Sequence, residues 1–172
     1  PSHGNVLLRI ADGGGETHPV TQLDPARQET EHLDPSFLPD GRRFLFTARS
    51  HTGDHCIKLG SIDPGIRECL VSSYSRSVYA SGSLLFVRDG SLLALPFDAD
   101  KGTVSGEPVP LEKGMGNNLS GQAEFSVSAE GTLVIVPDVP SHYWWVDRTG
   151  KRIDELKVPT ADGMEPGFRV TP

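Results

Sequence analysis

Residues 32–63 read HLDPSFLPDGRRFLFTARSHTGDHCIKLGSID, and the fold class is decided there. Asp40-Gly41 is a turn signal, and residues 43–49 (RFLFTAR) are aromatic and apolar in the manner of a buried or half-buried strand. A second turn cluster, residues 50–54, leads into residues 55–62, where Cys56, Ile57, Leu59 and Ile62 supply the apolar positions. Asp63-Pro64-Gly65 then turns the chain into residues 66–72. The stretch predicts a meander of short antiparallel strands, each returning beside the last.

Working outward, the same grammar recurs. Residues 5–11 (NVLLRIA), a turn at Asp12-Gly13-Gly14-Gly15 and residues 18–23 form one hairpin, followed by a polar connection over residues 24–31. Beyond the central unit (33–73), a second unit (78–112) carries VYA, SLLFVR and SLLALPFD with turns at Ser81-Gly82 and Asp89-Gly90. A third (124–158) carries EFSVS, TLVIVP and YWWVD, and Phe168-Arg169-Val170 opens another at 165–172. The first-turn glycines Gly41, Gly82 and Gly131 lie 41 and 49 residues apart (82 − 41 and 131 − 82), close to the blade period of propeller repeats. The expectation is an all-β fold: a β-propeller segment of four-stranded antiparallel blades, about three complete and one partial at each end (the first over 1–23). Runs such as Phe44-Leu45-Phe46, Leu84-Leu85-Phe86-Val87 and Leu133-Val134-Ile135-Val136 are nearly continuous in apolar residues, as strands sandwiched between neighbouring sheets should be.

Composition agrees. Among 172 residues, 19 Gly and 14 Pro interrupt short apolar runs, which is the pattern of a turn-rich β protein. A net charge of −7, with no stretch concentrating Lys and Arg, argues against a nucleic-acid partner or an anionic membrane surface. No apolar run reaches the ~20 residues that span a bilayer, and no membrane contact is expected of this segment itself. The chain opens without Met and stops within a pattern, and is expected to be an excised piece of a longer propeller. Such an arc leaves apolar faces bare near Val6-Leu7-Leu8 and Tyr143-Trp144-Trp145 and is expected to self-associate. If Pro64-Gly65 is the tip of its hairpin, Gly60 faces Cys69 and Cys56 lies four residues away, roughly 13 Å, so the two cysteines are expected to be free thiols.

The segment DPSFLPDG, residues 34–41, resembles the DPxxSPDG signature of the WD-like repeat in TolB-type β-propellers. More widely, LDPARQETEHLDPSFLPDGRRFLF, YASGSLLFVRDGSLLALPFD, SGEPVPL, FSVSAEGTLV and WWVDRTGKR are similar in style and order to the propeller that follows the kinase domain of acidobacterial-type serine/threonine protein kinases. That resemblance implies a sensory or scaffolding propeller attached to a signalling enzyme, often beyond a membrane anchor and therefore extracytoplasmic. The second and third units depart from the signature, with Ala80-Ser81-Gly82 and Ala129-Glu130-Gly131 in place of Pro39-Asp40-Gly41. No set of catalytic residues carries over.

Chemical constellations are sparse. His51, Asp54 and His55 bring two imidazoles and a carboxylate into one turn, a weak candidate for a divalent metal; a solvated turn is the alternative, because Gly53 gives the turn no fixed ligand geometry. No cofactor is expected. Asp12-Gly13-Gly14-Gly15 lacks the Lys-Ser/Thr and the helix of a phosphate-binding loop and reads as a hairpin tip. Tyr143-Trp144-Trp145 offers a stacking ring or blade packing. Loops between strands crowd the rim of a propeller, which points to two interaction loops: Ser50, His51, Asp54 and His55 in one, Met115, Asn117 and Asn118 in the other. The expected partner is a protein or peptide, or a small ligand at the rim or channel.

No Gly-x-Ser-x-Gly, His-Glu-x-x-His or kinase signature occurs. The leading functional expectation is a non-catalytic interaction or ligand-sensing module of a larger bacterial signalling protein. The alternatives are the gating propeller of a prolyl-oligopeptidase-type hydrolase, with its catalytic domain outside this chain, and a periplasmic TolB-like scaffold.

Overall fold

The computed structural model describes residues 5–63, 68–116, 124–128, 130–138 and 143–156. Their fold is all-β: every strand pairing is antiparallel, and the one helical element among the described residues is a 3-10 turn at Pro25–Arg27.

Strands β1 (Leu8–Arg9) and β2 (His18–Pro19) form a short hairpin. Next comes a four-stranded meander of β3 (Glu29–Phe37), β4 (Arg43–Ser50), β5 (Cys56–Ser61) and β6 (Cys69–Ser72), neighbours in space in that order. A second meander contains β7 (Ser77–Ala80), β8 (Ser83–Arg88) and β9 (Ser91–Asp98). The far edge of β9 is shared by two strands: β10 (Thr103–Val104) pairs at Asp98 and Phe97, and β11 (Val109–Lys113) pairs from Ala94 back to Ser91. Finally, β12 (Phe125–Val127) pairs with β13 (Leu133–Ile135), and β14 (Tyr143–Val146) with β15 (Arg152–Leu156), as separate two-stranded sheets.

The sheets are stacked because the apolar residues of the central strands are buried on both sides. Along β4, Phe44, Phe46 and Ala48 face Leu7 and Val20 of the first hairpin region, whereas Leu45 faces the other way, with Ile57, onto Leu84, Phe86, Leu93, Leu95 and Phe97 of the second meander. Along β8 the alternation repeats, with Leu85 and Val87 turned to Leu92, Met115, Phe125, Leu133 and Ile135. Among the described residues, three apolar seams therefore separate four of the five sheets. Polar stitches cross the second seam where the chain passes between meanders: the Thr47 hydroxyl donates to the Ser75 carbonyl (2.9 Å), Ser73 Oγ donates to the Val87 carbonyl (2.8 Å), and the Val87 N–H donates to Ser75 Oγ (2.8 Å).

Several expectations are corrected. The polar connection at 24–31 ends early, because Glu29 already opens β3; bulges between Glu29/Glu31 and Leu33/Ser36, with Asp34 at φ 53°, break the period-two pattern that would have announced a strand. Cys56 and Cys69 form a disulfide, with Cα atoms 5.8 Å apart. The β5–β6 register places Lys58, not Gly60, opposite Cys69, and a bulge follows Ile57, so Cys56 lies two positions from the facing residue instead of four. The third unit is not a single four-stranded sheet among the described residues. Its strand β13 buries one side only, and Val134 is 68 % exposed. Trp144 and Trp145 are both exposed, at 42 % and 47 %, with the Arg152 guanidinium over the Trp144 ring at 4.7 Å.

Candidate functional site

The turn from Ser50 to His55 is held by its own polar groups. Ser50 Oγ donates to the Arg27 carbonyl (2.7 Å) and lies 2.8 Å from Thr52 Oγ1, which donates to Asp54 Oδ2 (3.1 Å). His55 accepts the Ser50 N–H on Nδ1 (3.2 Å) and rests against the Tyr74 ring, over which Arg49 also lies at 4.4 Å. Burial, reinforced by the Arg49 charge, lowers the His55 pKa against the opposing pull of Asp54, which favours the neutral ring that this acceptor role requires. Thus His51 and Asp54 are exposed, and His55 braces the turn. Among the described residues no group of three or more His, Cys, Asp or Glu is placed to hold a metal ion.

Met115 is not a rim residue. It is buried in the third seam, its N–H donates to the Gly90 carbonyl (3.0 Å), and it bridges to Pro137. The reason is spatial: a Cβ on neighbouring Gly116 would stand 2.5 Å from the Pro137 carbonyl oxygen, so this segment is packed against backbone. Asn117 and Asn118 lie outside the described residues.

The chemically richest place lies in the first seam. Glu29 opens β3, His32 follows three residues later, and Lys58 sits on β5 directly opposite Phe46. All three are buried; the side chains of Glu29, His32 and Lys58 are 2 %, 1 % and 7 % exposed. Glu29 Oε1 pairs with Lys58 Nζ, while Oε2 meets His32 Nε2 at 3.0 Å and accepts the Asp24 N–H at 2.8 Å. Burial raises the Glu29 pKa, but the hydrogen bonds from Lys58, the Asp24 backbone and His32 together outweigh it and hold the carboxyl below its ordinary value. Glu29 is thus an anion with both oxygens committed.

Beside this cluster is a cavity of about 300 Å³, lined by residues 22–25, His32, Phe46 and Lys58. Phe46 is fully buried, lines it and stands edge-on to His32 at 4.8 Å. At the mouth, Asp24 caps the 3-10 turn by accepting the Ala26 N–H on Oδ1 (2.9 Å). A buried cation, a carboxylate at the rim and apolar walls are the composition of a small-ligand pocket. Sequence reading missed all of it: Glu29 fell in the supposed connection, His32 headed the quoted stretch without a role, and Lys58 stood unremarked in CIKLG. A lysine at an inward position of an apolar strand was the available signal. The chain matches no protein-family model and no curated protein.

Proposed function

We propose that the stacked sheets are successive blades of a β-propeller and that the chain is a non-catalytic interaction or ligand-sensing module of a larger bacterial signalling protein. The observation that carries this reading is the layering itself. The four-stranded sheet β3–β6 and the five-stranded sheet β7–β11 each bury the two faces of their central strands in different seams, which is how blades are covered when they stack radially. The similarity of residues 34–41 to the TolB-type repeat signature supports it, because that segment spans the end of β3 and the turn towards β4, with Asp40 accepting the N–H groups of Arg42 and Arg43 at 2.8 Å each. The disulfide supports an extracytoplasmic setting, since such bonds persist where the compartment is oxidising. A non-catalytic role is supported by the buried ionisable groups of the first seam, which neutralise one another instead of presenting a free base or nucleophile.

Incubating the purified chain with a library of metabolites and peptides tests the reading. The expected result is a raised unfolding temperature with one or more members and recovery of every member chemically unchanged. Conversion of any member, abolished by a single substitution within the chain, overturns it.

A further inference from the structure

We propose that the first-seam cavity binds a small zwitterion of the free aliphatic amino-acid class, its carboxylate on Lys58 and its ammonium at Asp24. The inference rests on the ligand-sensing half of the reading above. Lysine carries three donors, and among the described residues Glu29 Oε1 is the acceptor that Lys58 meets. Its remaining N–H groups are buried beside the cavity, where a donor without an acceptor is costly. Glu29 does not present a competing anion, because its oxygens are turned onto Lys58, His32 and the Asp24 N–H.

At the other end, Asp24 uses Oδ1 for the Ala26 N–H, and Oδ2 has no donor among the described residues. The charges thus run from a cation inside to an anion at the rim, the reverse of an amino acid entering carboxylate first. An anion alone would leave Asp24 facing it at the mouth; an amine alone would bring a second positive charge toward Lys58. Leu23, Pro25 and Phe46 supply apolar wall for an aliphatic side chain, and about 300 Å³ matches the lower end of small-molecule sites.

Three probes of matched carbon skeleton separate the charges: leucine, 4-methylpentanoate and 3-methylbutylamine, each titrated calorimetrically into the intact chain. Leucine is expected to bind on the order of tenfold more tightly than either singly charged probe. Asp24→Asn keeps the cap, since Asn serves that role as well as Asp, and should bring leucine down to the affinity of 4-methylpentanoate. The paired neutral variant Glu29→Gln/Lys58→Met should lose leucine and 4-methylpentanoate together. Failure of leucine to bind, a ranking led by either singly charged probe, or leucine affinity unchanged in Asp24→Asn overturns the proposal. Absence of leucine binding leaves the broader reading standing, whereas chemical conversion of leucine counts against that reading instead.

Discussion

Replacing Lys58 by methionine removes one charge from the first seam and keeps most of the volume. Side-chain exposures of 7 % for Lys58 and 2 % for Glu29 put the pair in the buried regime, where deleting one partner costs about 3 to 5 kcal/mol, well above the 0 to 1 kcal/mol of a surface pair. The lower end, about 3 kcal/mol, applies here, because the adjoining cavity lets water reach the abandoned carboxylate. Changing both partners, Glu29→Gln with Lys58→Met, removes the stranded charge; it should cost no more than about 1 to 2 kcal/mol, for a coupling of at least about 1 kcal/mol, to which the cost of Glu29→Gln alone adds. Urea unfolding followed by far-ultraviolet circular dichroism measures all four corners of the cycle. The pH dependence gives a second, signed check. In the parent, the Glu29 pKa is lowered from 4.5, so its contribution is complete above pH 4.5 and is lost as pH falls through the lowered folded value. In Lys58→Met the strongest lowering partner is gone and burial is opposed only by the Asp24 N–H and His32, so the carboxyl moves upward from its parent value and the deficit should be largest at neutral pH and shrink as Glu29 protonates. A Lys58→Met penalty below about 1 kcal/mol, or a double variant that costs the sum of the singles, would refute the reasoning.

Three other perturbations test separate parts of the structure. Gly60→Ala sets a Cβ 2.6 and 2.7 Å from Phe44 ring carbons in the first seam, and should lower stability by about 1 to 3 kcal/mol in chemical denaturation; a neutral result means that the ring does not lie across Gly60. Asp40, held down to about 2 from 3.8 by the N–H groups of Arg43 and Arg42 and then by the Arg43 side chain, contributes stability that is complete above pH 3.8 and lost as pH falls toward 2; Asp40→Asn should flatten the acid limb of the unfolding curve over that window, and an unchanged limb counts against the turn geometry. Cys56 and Cys69 close a loop of sequence separation 13, so reduction or the double Cys→Ser variant should cost about 3 kcal/mol, read as a lowered urea midpoint; equal midpoints in the presence and absence of reductant argue against the bond.

Turn chemistry carried most of the fold into the sequence. Asp89 and Gly90 both adopt positive φ, at 51° and 66°, as do Ser81 and Gly82 at 48° and 80°, so the two-residue connections of the second meander fall where small and Asp-Gly pairs announce them. The strands they join, Ser83–Arg88 and Ser91–Asp98, have the bounds that their apolar runs suggest. What stayed hidden depends on bulges and on distance along the chain. The start of β3, residues 29–31, reads as polar linker because its register shifts break the alternation, and the same kind of shift in β5–β6 moves Cys69 toward Cys56. The candidate site joins Glu29 to Lys58 across 29 residues, through a pairing of β3, β4 and β5 whose exact register no local pattern specifies. Conversely, the imidazole and carboxylate groups of Ser50 to His55 are conspicuous in sequence because they are adjacent, yet the turn engages His55 and Asp54 in bracing itself and leaves His51 exposed.

Three seams in series make the molecule nearly one-dimensional in its energetics, since each layer exchanges contacts with its immediate neighbours. A perturbation that starts in the cavity beside Phe46 reaches the second meander through the central strands β4 and β5, from the Phe46 and Lys58 side to the Leu45 and Ile57 side. Amide exchange should accordingly show a graded response to a first-seam perturbation, strongest in β3 to β5, weaker in β7 to β9 and weakest in β12 and β13. In a stack of this kind the loss at each seam sets how far a local perturbation is felt.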